Sequence, residues 1–302
     1  MVPVAVNGKL AKGVGILFDG LQIAIDFAQL PLRPEVFTIP AFEALGHLLG
    51  PFSLRWYSLS YIAAIVCGWW LLSRMIKLPG SPMTSENVDD FITWATLGVI
   101  VGGRLGYVLF YNRAEYMADP MAILRVWDGG MSFHGGAMGV VFGCIGFGLA
   151  NKVSGLRVLD YVATVSPLGL GLGRLANFVN GELWGRPTGS NWGVIFPNAG
   201  PEPRYPSQLF EAGLEGAVLL TVLTAMFWAS RARFRPGLLS GVFGFGYGVS
   251  RFIVEFYREP DRQLGFLPSG LTMGQTLSLP FIIIGLLLIL YAMTRPPVPE
   301  TA

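Results

Sequence analysis

The chain has 302 residues, of which 13% are charged, about half the share found in typical soluble domains. Hydrophobic residues make up 52% of the sequence, the formal net charge is +2, and the mean hydropathy is +0.54. So few charges leave a soluble protein of this length short of polar surface, and the apolar content excludes a disordered chain. The small net charge argues against a nucleic-acid-binding protein. The composition therefore predicts an all-α polytopic membrane protein.

Seven segments are long and apolar enough to be membrane-spanning helices, which need about 20 mostly apolar residues. They comprise residues 56–73, 91–112, 131–151, 158–180, 208–230, 237–257 and 271–294. Basic residues concentrate in the loops after the first, third, fifth and seventh segments: Arg74, Lys77, Lys152, Arg157, Arg231, Arg233, Arg235 and Arg295. The positive-inside rule makes those loops cytoplasmic. We therefore expect the N-terminus outside and the C-terminus in the cytoplasm.

Two regions fall outside these predicted spans. Residues 1–50 include an apolar stretch, 13–30, that contains two aspartates. We interpret 1–50 as an N-terminal interfacial segment of unknown role. For the apolar stretch 13–30, the alternative is a start site assigned too far upstream. Residues 51–302 then form one seven-helix transmembrane domain. Its longest outer loop, 181–207, is rich in proline and glycine, which predicts either an ordered non-helical periplasmic cap or a mobile arm.

Three of the predicted spans each contain one arginine: Arg104, Arg174 and Arg251. The predicted topology places all three in the outer half of the membrane, where a buried charge needs an anionic partner because a charge at the bilayer centre costs about 3 kcal/mol. The acids available as partners are Glu182, Glu211, Glu215 and Glu255. Glu211 and Glu215 are four residues apart and, as like charges, need a cation, a proton or donors from neighbouring helices. Other polar side chains at the same depth are Tyr57, His134, Asn177 and Tyr247.

This polar layer has two interpretations. It is either an ion-pair network that holds the bundle together, or an anion site in which two guanidinium groups bind a phosphate bidentately. A phosphate at this depth suggests a phospholipid head group. His134 is correspondingly either a hydrogen-bonded structural residue or a catalytic base. Since the chain has only two histidines, a histidine-based metal site is not expected, and no cofactor is implied.

Several ordered motifs resemble those of bacterial phosphatidylglycerol–prolipoprotein diacylglyceryl transferases. The most specific is GRLANFVNGELWGR at residues 173–186. The others are RWY at 55–57, GGRLGYV at 102–108, VWDGGMSFHGG at 126–136, YPSQL at 205–209 and RFIVEFYREPD at 251–261. The resemblance extends over about residues 50–295, and nothing in it applies to residues 1–50.

The resemblance implies a reaction and a set of site residues. It implies transfer of a diacylglyceryl group from phosphatidylglycerol to the lipobox cysteine of a preprolipoprotein, with release of glycerol phosphate, as the first step of lipoprotein maturation. It also implies a multi-pass protein of the bacterial inner membrane with an outward-facing site. The positions that match the family's essential residues are Tyr57, Arg174, Asn177, Glu182, Gly185, Arg251 and Glu255, with His134 as a debated base.

The chemistry of this reaction suggests roles for these residues. The thiol must lose its proton, and negative charge on the departing phosphate must be stabilised. We expect Arg174 and Arg251 to bind the phosphate, with Arg104 as a further lipid-binding residue and His134, or a carboxylate acting through it, as the base. Four other residues complete the predicted site: Tyr57 orients a substrate, Asn177 and Tyr247 bind the head group, and Gly185 contributes to lipid binding. Glu182 and Glu255 are expected to hold the arginines in place.

Two other classes of protein remain open. A transporter or channel for a phosphorylated anion would use broken helices near the membrane midplane and inverted repeats, and no repeat is visible in the sequence. A non-catalytic scaffold or lipid-binding protein would use the arginines structurally. Only a transferase produces a lipidated lipobox peptide from phosphatidylglycerol.

Overall fold

The computed structural model describes residues 24–44, 47–110, 113–126, 129–260 and 265–300. Long helices dominate these ranges, as the all-α prediction requires. They are α1 (Trp56–Met75), α2 (Ser85–Phe110), α4 (Phe133–Asn151), α5 (Gly155–Val179), α6 (Ser207–Ala229), α7 (Leu238–Val254) and α8 (Met273–Thr294), with the short α3 (Arg113–Ala118) after α2. Single 3₁₀ turns occur at Phe27–Gln29, Pro120–Leu124 and Ala232–Phe234.

Five helices in the described ranges are long and apolar enough to cross a membrane: α1, α2, α5, α6 and α8. Helix α7 is apolar but has 17 residues, and α4 has 19 residues. This architecture is that of a polytopic α-helical membrane protein. The number of seven spans and the placement of the two termini stay predictions.

Three small two-stranded sheets lie outside the long helices and go beyond the predicted all-α class. Strand β1 (Ala24–Asp26) pairs in parallel with β6 (Gly193–Ile195). The antiparallel pairs are β2 (Glu35–Ile39) with β5 (Phe52–Arg55), and β3 (Phe42–Ala44) with β4 (His47–Leu49). Part of the predicted interfacial segment 1–50 is therefore strand, while its first 23 residues lie outside the described residues.

Glycines permit unusually close contacts between two pairs of helices. Gly98 and Gly102 of α2 contact the backbone of Gly139 and Gly135 in α4, where any side chain would collide. On the other side of the bundle, a Cβ on Gly216 of α6 would lie 2.6 Å from the Cα of Gly171 in α5. Small residues permit such approaches in lipid. The second contact matters most for the site. It brings α5, which carries Arg174, against α6, which carries the buried glutamates Glu211 and Glu215.

Helix α6 departs from regular α geometry where those glutamates lie. Its first turn is α-helical up to Glu211, residues Ala212–Val218 form a π-helical segment, and the remainder is α-helical again. Glu215 lies inside the π segment. Such segments are rare and occur frequently at functional sites.

Contacts between loops define two opposite ends of the bundle. At one end, which we call the basic end, Arg157 donates to the carbonyl of Gly80, and the backbone N–H of Val298 donates to Phe234 at 2.8 Å. The buried carboxylate of Asp160 accepts bonds there from the backbone of Gly237 and Ser240, at 2.7 and 2.8 Å, and so caps the start of α7. An anion is favourable at a helix N-terminus.

The opposite end is covered by residues 181–206, which we call the cap. The cap contains β6 and is tied to its neighbours by backbone hydrogen bonds, which favours the ordered cap over the mobile arm. Phe27, which follows β1, packs in a small core against Phe178 and Phe196, with ring centroids 5.7 and 5.4 Å away. The N-terminal strand thus fastens the cap to the end of α5.

Candidate functional site

The site centres on Glu211, a fully buried carboxylate near the start of α6. Three arginines surround it. Arg174 from α5 places its Nε 3.2 Å from Oε2. Arg251 from α7 donates to Oε1, and Arg258, just beyond α7, places its Nη1 3.1 Å from the same oxygen. One carboxylate therefore gathers three guanidinium groups, one from α5 and two from α7 and the residues that follow it.

Glu215 lies one helical turn further along α6 and is also fully buried. Its ionic contact is with Arg174, whose Nε lies 3.7 Å from Oε2. Within the described residues, neither carboxylate oxygen of Glu215 has a hydrogen-bond donor. A buried carboxylate without donors is energetically costly in its ionised form, so Glu215 is chemically distinct from its neighbour.

Glu255 forms the third acidic part of the site and holds Arg251 from the other side. Its Oε2 lies 2.8 Å from Nη2 of Arg251, and its Oε1 accepts a 2.9 Å bond from the hydroxyl of Thr272. Thr272 is the N-cap of α8, where it forms a capping box with Gln275. A Cβ at Gly274 would lie 2.6 Å from the carboxylate of Glu255, so a larger residue there would displace that carboxylate from Arg251 and Thr272.

The loop after α5 brings the predicted amide and acid side chains together. The side chains of Asn177 and Asn180 both donate to Oε1 of Glu182, at 2.9 and 3.0 Å. The backbone carbonyl of Glu182 accepts a 2.6 Å bond from Gln208 at the start of α6. Glu182 therefore orders the asparagines of its own loop, whereas it was expected to hold an arginine.

Gly185 lies where the cap passes between two other backbone segments. Its N–H donates to the carbonyl of Tyr205 at 2.9 Å, and the next N–H, of Arg186, donates to Tyr257 at 2.8 Å. A Cβ on Gly185 would lie 2.5 and 2.6 Å from those two carbonyl oxygens. Gly185 also forms an isolated bridge with Arg258. The glycine thus fixes the cap against the segment that carries the third arginine.

The remaining predicted side chains lie around this cluster. Tyr57 is partly exposed at the start of α1 and interacts electrostatically with Glu182 and Arg174. Tyr247 is buried on α7, in electrostatic contact with the arginine–glutamate cluster. His134 interacts with Arg251, and the rings of both His134 and Tyr247 contact Phe281 of α8, with centroids 6.3 and 5.3 Å away.

Arg104 is bound differently from the other two membrane arginines. Its guanidinium donates to backbone carbonyls at both ends of the segment between α3 and α4, among them Ala122 at 2.6 Å, Ile123 at 2.9 Å and Gly130 at 3.1 Å. It also stacks on the ring of Tyr116, 5.0 Å from its centroid. These contacts belong to a loop anchor, and the acids of the cluster take no part in them.

The interpretation from sequence did not assign Glu211, Glu215 or Arg258 to the site. As a like-charged pair, Glu211 and Glu215 were expected to need a cation, a proton or donors from neighbouring helices, and Arg174 supplies the cation. The signal for Arg258 is its place in the motif RFIVEFYREPD, and the structure puts it just beyond the end of α7.

The charges of the cluster balance, and its three arginine side chains differ in their exposure to solvent. Three arginines face three glutamates, so the described ionic groups sum to zero when all are ionised. The side chain of Arg174 is 19% exposed, against 13% for Arg251 and 10% for Arg258. In its ion pairs Arg174 uses Nε, whereas Arg251 uses both terminal nitrogens. Arg174 is thus the arginine best able to reach an anion that enters from outside.

Known proteins match nearly the whole chain. The family model described as prolipoprotein diacylglyceryl transferase matches residues 44–291. A phosphatidylglycerol–prolipoprotein diacylglyceryl transferase of Gluconacetobacter diazotrophicus is 52% identical over 266 residues, which cover 87% of this chain and 95% of the relative. Its counterpart in Zymomonas mobilis is 50% identical over 277 residues, or 92% of this chain and 96% of the relative.

These matches and the motif-bearing cluster lead to one assignment. The loop of Asn177, Glu182 and Gly185 and the cluster of Arg174 and Arg251 lie within the matched residues. The chain belongs to the prolipoprotein diacylglyceryl transferase family.

Proposed function

We propose that this chain transfers the diacylglyceryl group of phosphatidylglycerol to the lipobox cysteine of a prolipoprotein, with release of glycerol phosphate. Its membership of the family supports this function. The observation that carries the assignment to this site is the convergence of three guanidinium groups on Glu211 at one end of an apolar helical bundle. Such a cluster suits the phosphate of a lipid head group, because arginine binds phosphate with several directed hydrogen bonds.

Arg174 makes the first contact with the phosphate. It is the most exposed of the three arginines, and its ion pairs to Glu211 and Glu215 go through Nε. Its terminal nitrogens are then suited to bind two phosphate oxygens. Charge that develops on the leaving phosphate is stabilised most strongly by donors already held in place in a water-poor site.

Arg251 and Arg258 act from a second layer of positive charge. Both terminal nitrogens of Arg251 are engaged by Glu211 and Glu255, and Arg258 is bound to Glu211. Fixed positive charges close to the phosphate lower the energy of the transition state without direct contact, since Coulomb interactions are strong where water is scarce. In this proposal Glu255 holds Arg251 in place through their 2.8 Å ion pair.

The thiol proton leaves by way of His134, whose imidazole interacts with Arg251 near the expected position of the phosphate. Asn177 and Tyr57 bind the glycerol head group or orient the incoming peptide. A His134→Gln variant tests the base. Its transfer rate is expected to fall and its pH profile to change, and an unchanged rate and profile would remove His134 from this role.

Arg104 has a structural role in this proposal. Because its guanidinium is engaged by backbone carbonyls of the loop before α4, it holds the segment that leads to Ser132 and His134. Ser132 caps α4 by accepting a 3.2 Å bond from the N–H of Gly135. A role for Arg104 in lipid binding is therefore not part of the mechanism.

The site faces the periplasm and the protein lies in the bacterial inner membrane, with seven spans, an external N-terminus and a cytoplasmic C-terminus. Two observations support this orientation. The loops rich in Lys and Arg join at the basic end, and the arginine–glutamate cluster lies at the cap end. The positive-inside rule assigns the basic end to the cytoplasm. In this orientation β1 and Phe27, which pack against the cap and the end of α5, lie on the periplasmic side.

The decisive experiment incubates the purified protein with labelled phosphatidylglycerol and a lipobox peptide. A lipidated peptide and free glycerol phosphate are expected, and a peptide with serine in place of the cysteine serves as the control. A protein that moves a phosphorylated anion across liposomes without consuming lipid would instead be a transporter. Lipid binding with neither transfer nor flux would indicate a scaffold.

A further inference from the structure

Glu215 is the buried acid that the mechanism above does not use. Its side chain is fully buried, and neither oxygen has a hydrogen-bond donor within the described residues. Glu255, by contrast, accepts a bond from Thr272, and Glu211 accepts bonds from Arg251 and Arg258. Ionised Glu215 is stabilised chiefly by Arg174 at 3.7 Å. Protonation of Glu215 therefore sacrifices fewer favourable contacts than protonation of either neighbour.

The charge balance of the cluster gives this difference a consequence. Arg174, Arg251 and Arg258 are matched by Glu211, Glu215 and Glu255. A phosphodiester brings one additional negative charge into a buried site that is already neutral. An uncompensated buried charge is costly, and the same Arg174 that pairs with Glu215 is the one best able to bind the phosphate.

We propose that Glu215 takes up a proton when the phosphatidylglycerol head group binds, so that the phosphate replaces the Glu215 carboxylate as the counter-ion of Arg174. This inference rests on the proposed function. The proton comes from solvent and forms an O–H bond on the Glu215 carboxylate, no bond of the lipid changes, and the neutral acid stays beside the cluster. The binding site then carries the same net charge before and after the lipid enters.

The neighbours of Glu215 fit this exchange. The charged or titratable groups that face it are Arg174 from α5, Glu211 on its own helix, Tyr247 and Arg251 from α7, and Arg258 beyond α7. His134 of α4 reaches the cluster through Arg251. The close contact of Gly216 with Gly171 packs this part of α6 directly against α5, and protonation neutralises Glu215 without separating the two helices.

Calorimetry of lipid binding measures the proton directly. A short-chain phosphatidylglycerol is titrated into the full-length protein at pH 8, without acceptor peptide, in two buffers of different ionisation enthalpy. Uptake of close to one proton per lipid is expected in the wild type. The Glu215→Gln variant, which mimics the protonated acid, is expected to bind the lipid without uptake, and the matched His134→Gln variant is expected to retain the uptake.

The kinetic counterpart is the pH dependence of the KM for phosphatidylglycerol. Uptake of one proton makes this KM rise by up to tenfold per pH unit in the wild type, since the ionised site binds the lipid less well. The KM of Glu215→Gln should be low and independent of pH. No proton uptake by the wild type, or equal uptake by wild type and Glu215→Gln, overturns the proposal. Lipid transfer measured in parallel separates this failure from failure of the proposed function, in which no variant lipidates the peptide.

Discussion

Replacement of Gly185 by alanine tests how the cap holds the site. The added Cβ would lie 2.5 and 2.6 Å from the carbonyl oxygens of Tyr205 and Tyr257, so one of those backbone segments must move. Overpacking of this kind costs about 1–3 kcal/mol. The displaced segments also carry two backbone hydrogen bonds, from Gly185 and Arg186, each worth about 1 kcal/mol. The expected loss of stability is thus about 3–5 kcal/mol.

The effect on activity follows from the same displacement. Gly185 bridges to Arg258, which in turn pairs with Glu211. A shift that costs the transition state about 1.4 kcal/mol lowers the rate tenfold, so at least a tenfold loss of transfer per folded molecule is expected. Thermal unfolding and lipidation of a peptide are measured side by side.

The matched control is Gly68→Ala in α1, where a Cβ would meet no atom within 4 Å. This variant should keep its transfer rate and unfold at the wild-type temperature or slightly above it, because alanine favours the helix more than glycine does. If Gly185→Ala unfolds and reacts like the wild type, the cap is not tightly packed between the backbones of Tyr205 and Tyr257.

Three further variants separate stability from catalysis. Asp160→Asn weakens the charged cap of α7 and should cost about 2 kcal/mol in thermal unfolding, with little change in transfer per folded molecule; a large fall in that specific activity would contradict a purely structural role. Thr272→Val removes the hydroxyl that binds Glu255 and should lower kcat more than Gln275→Leu, which breaks only the capping box; equal effects would count against the link to Glu255. Arg104→Gln should destabilise the protein and leave the KM for phosphatidylglycerol unchanged in the folded fraction, and a raised KM would restore a lipid-binding role.

The helical part of the fold was largely predictable from the sequence, because long apolar runs have few alternatives to helices in lipid. The predicted bounds erred where polar residues belong to a helix. The second predicted segment begins at residue 91, whereas α2 begins at Ser85. Hydropathy identifies only the apolar part of a helix, so the polar first turn was left out. The short strands of residues 24–55 were missed as well. For β1 the reason is physical, because its partner β6 lies far along the chain in the cap; β2 to β5 pair with one another inside the segment and were overlooked when it was interpreted as interfacial.

The candidate site was predictable in its arginines and less so in its acids. An arginine in an apolar helix stands out because it is costly there, and the structure does bring Arg174 and Arg251 to one carboxylate. The identity of that carboxylate was not predictable. Glu211 and Glu215 are one turn apart and look equivalent in sequence, and only the π-helical segment and the contacts around it make one the centre of three ion pairs.

Arg104 shows the limit of arguments from depth in the membrane. Its predicted position matches that of the other arginines, yet its partners are backbone carbonyls contributed by a loop. Every residue has a backbone carbonyl, so the sequence does not show which carbonyls will accept hydrogen bonds from an arginine. The same limit applies to Glu182, whose partners proved to be the asparagines of its own loop.

The affinity of the protein for phosphatidylglycerol, with and without Arg174, is the measurement on which the proposed site depends. A charge-assisted hydrogen bond contributes about 1.5–3 kcal/mol, so Arg174→Gln should bind a short-chain phosphatidylglycerol at least tenfold more weakly than the wild type. The control variant Arg74→Gln, changed at an arginine that stacks on Trp70, should bind normally. Wild-type affinity in Arg174→Gln would show that the phosphate binds elsewhere.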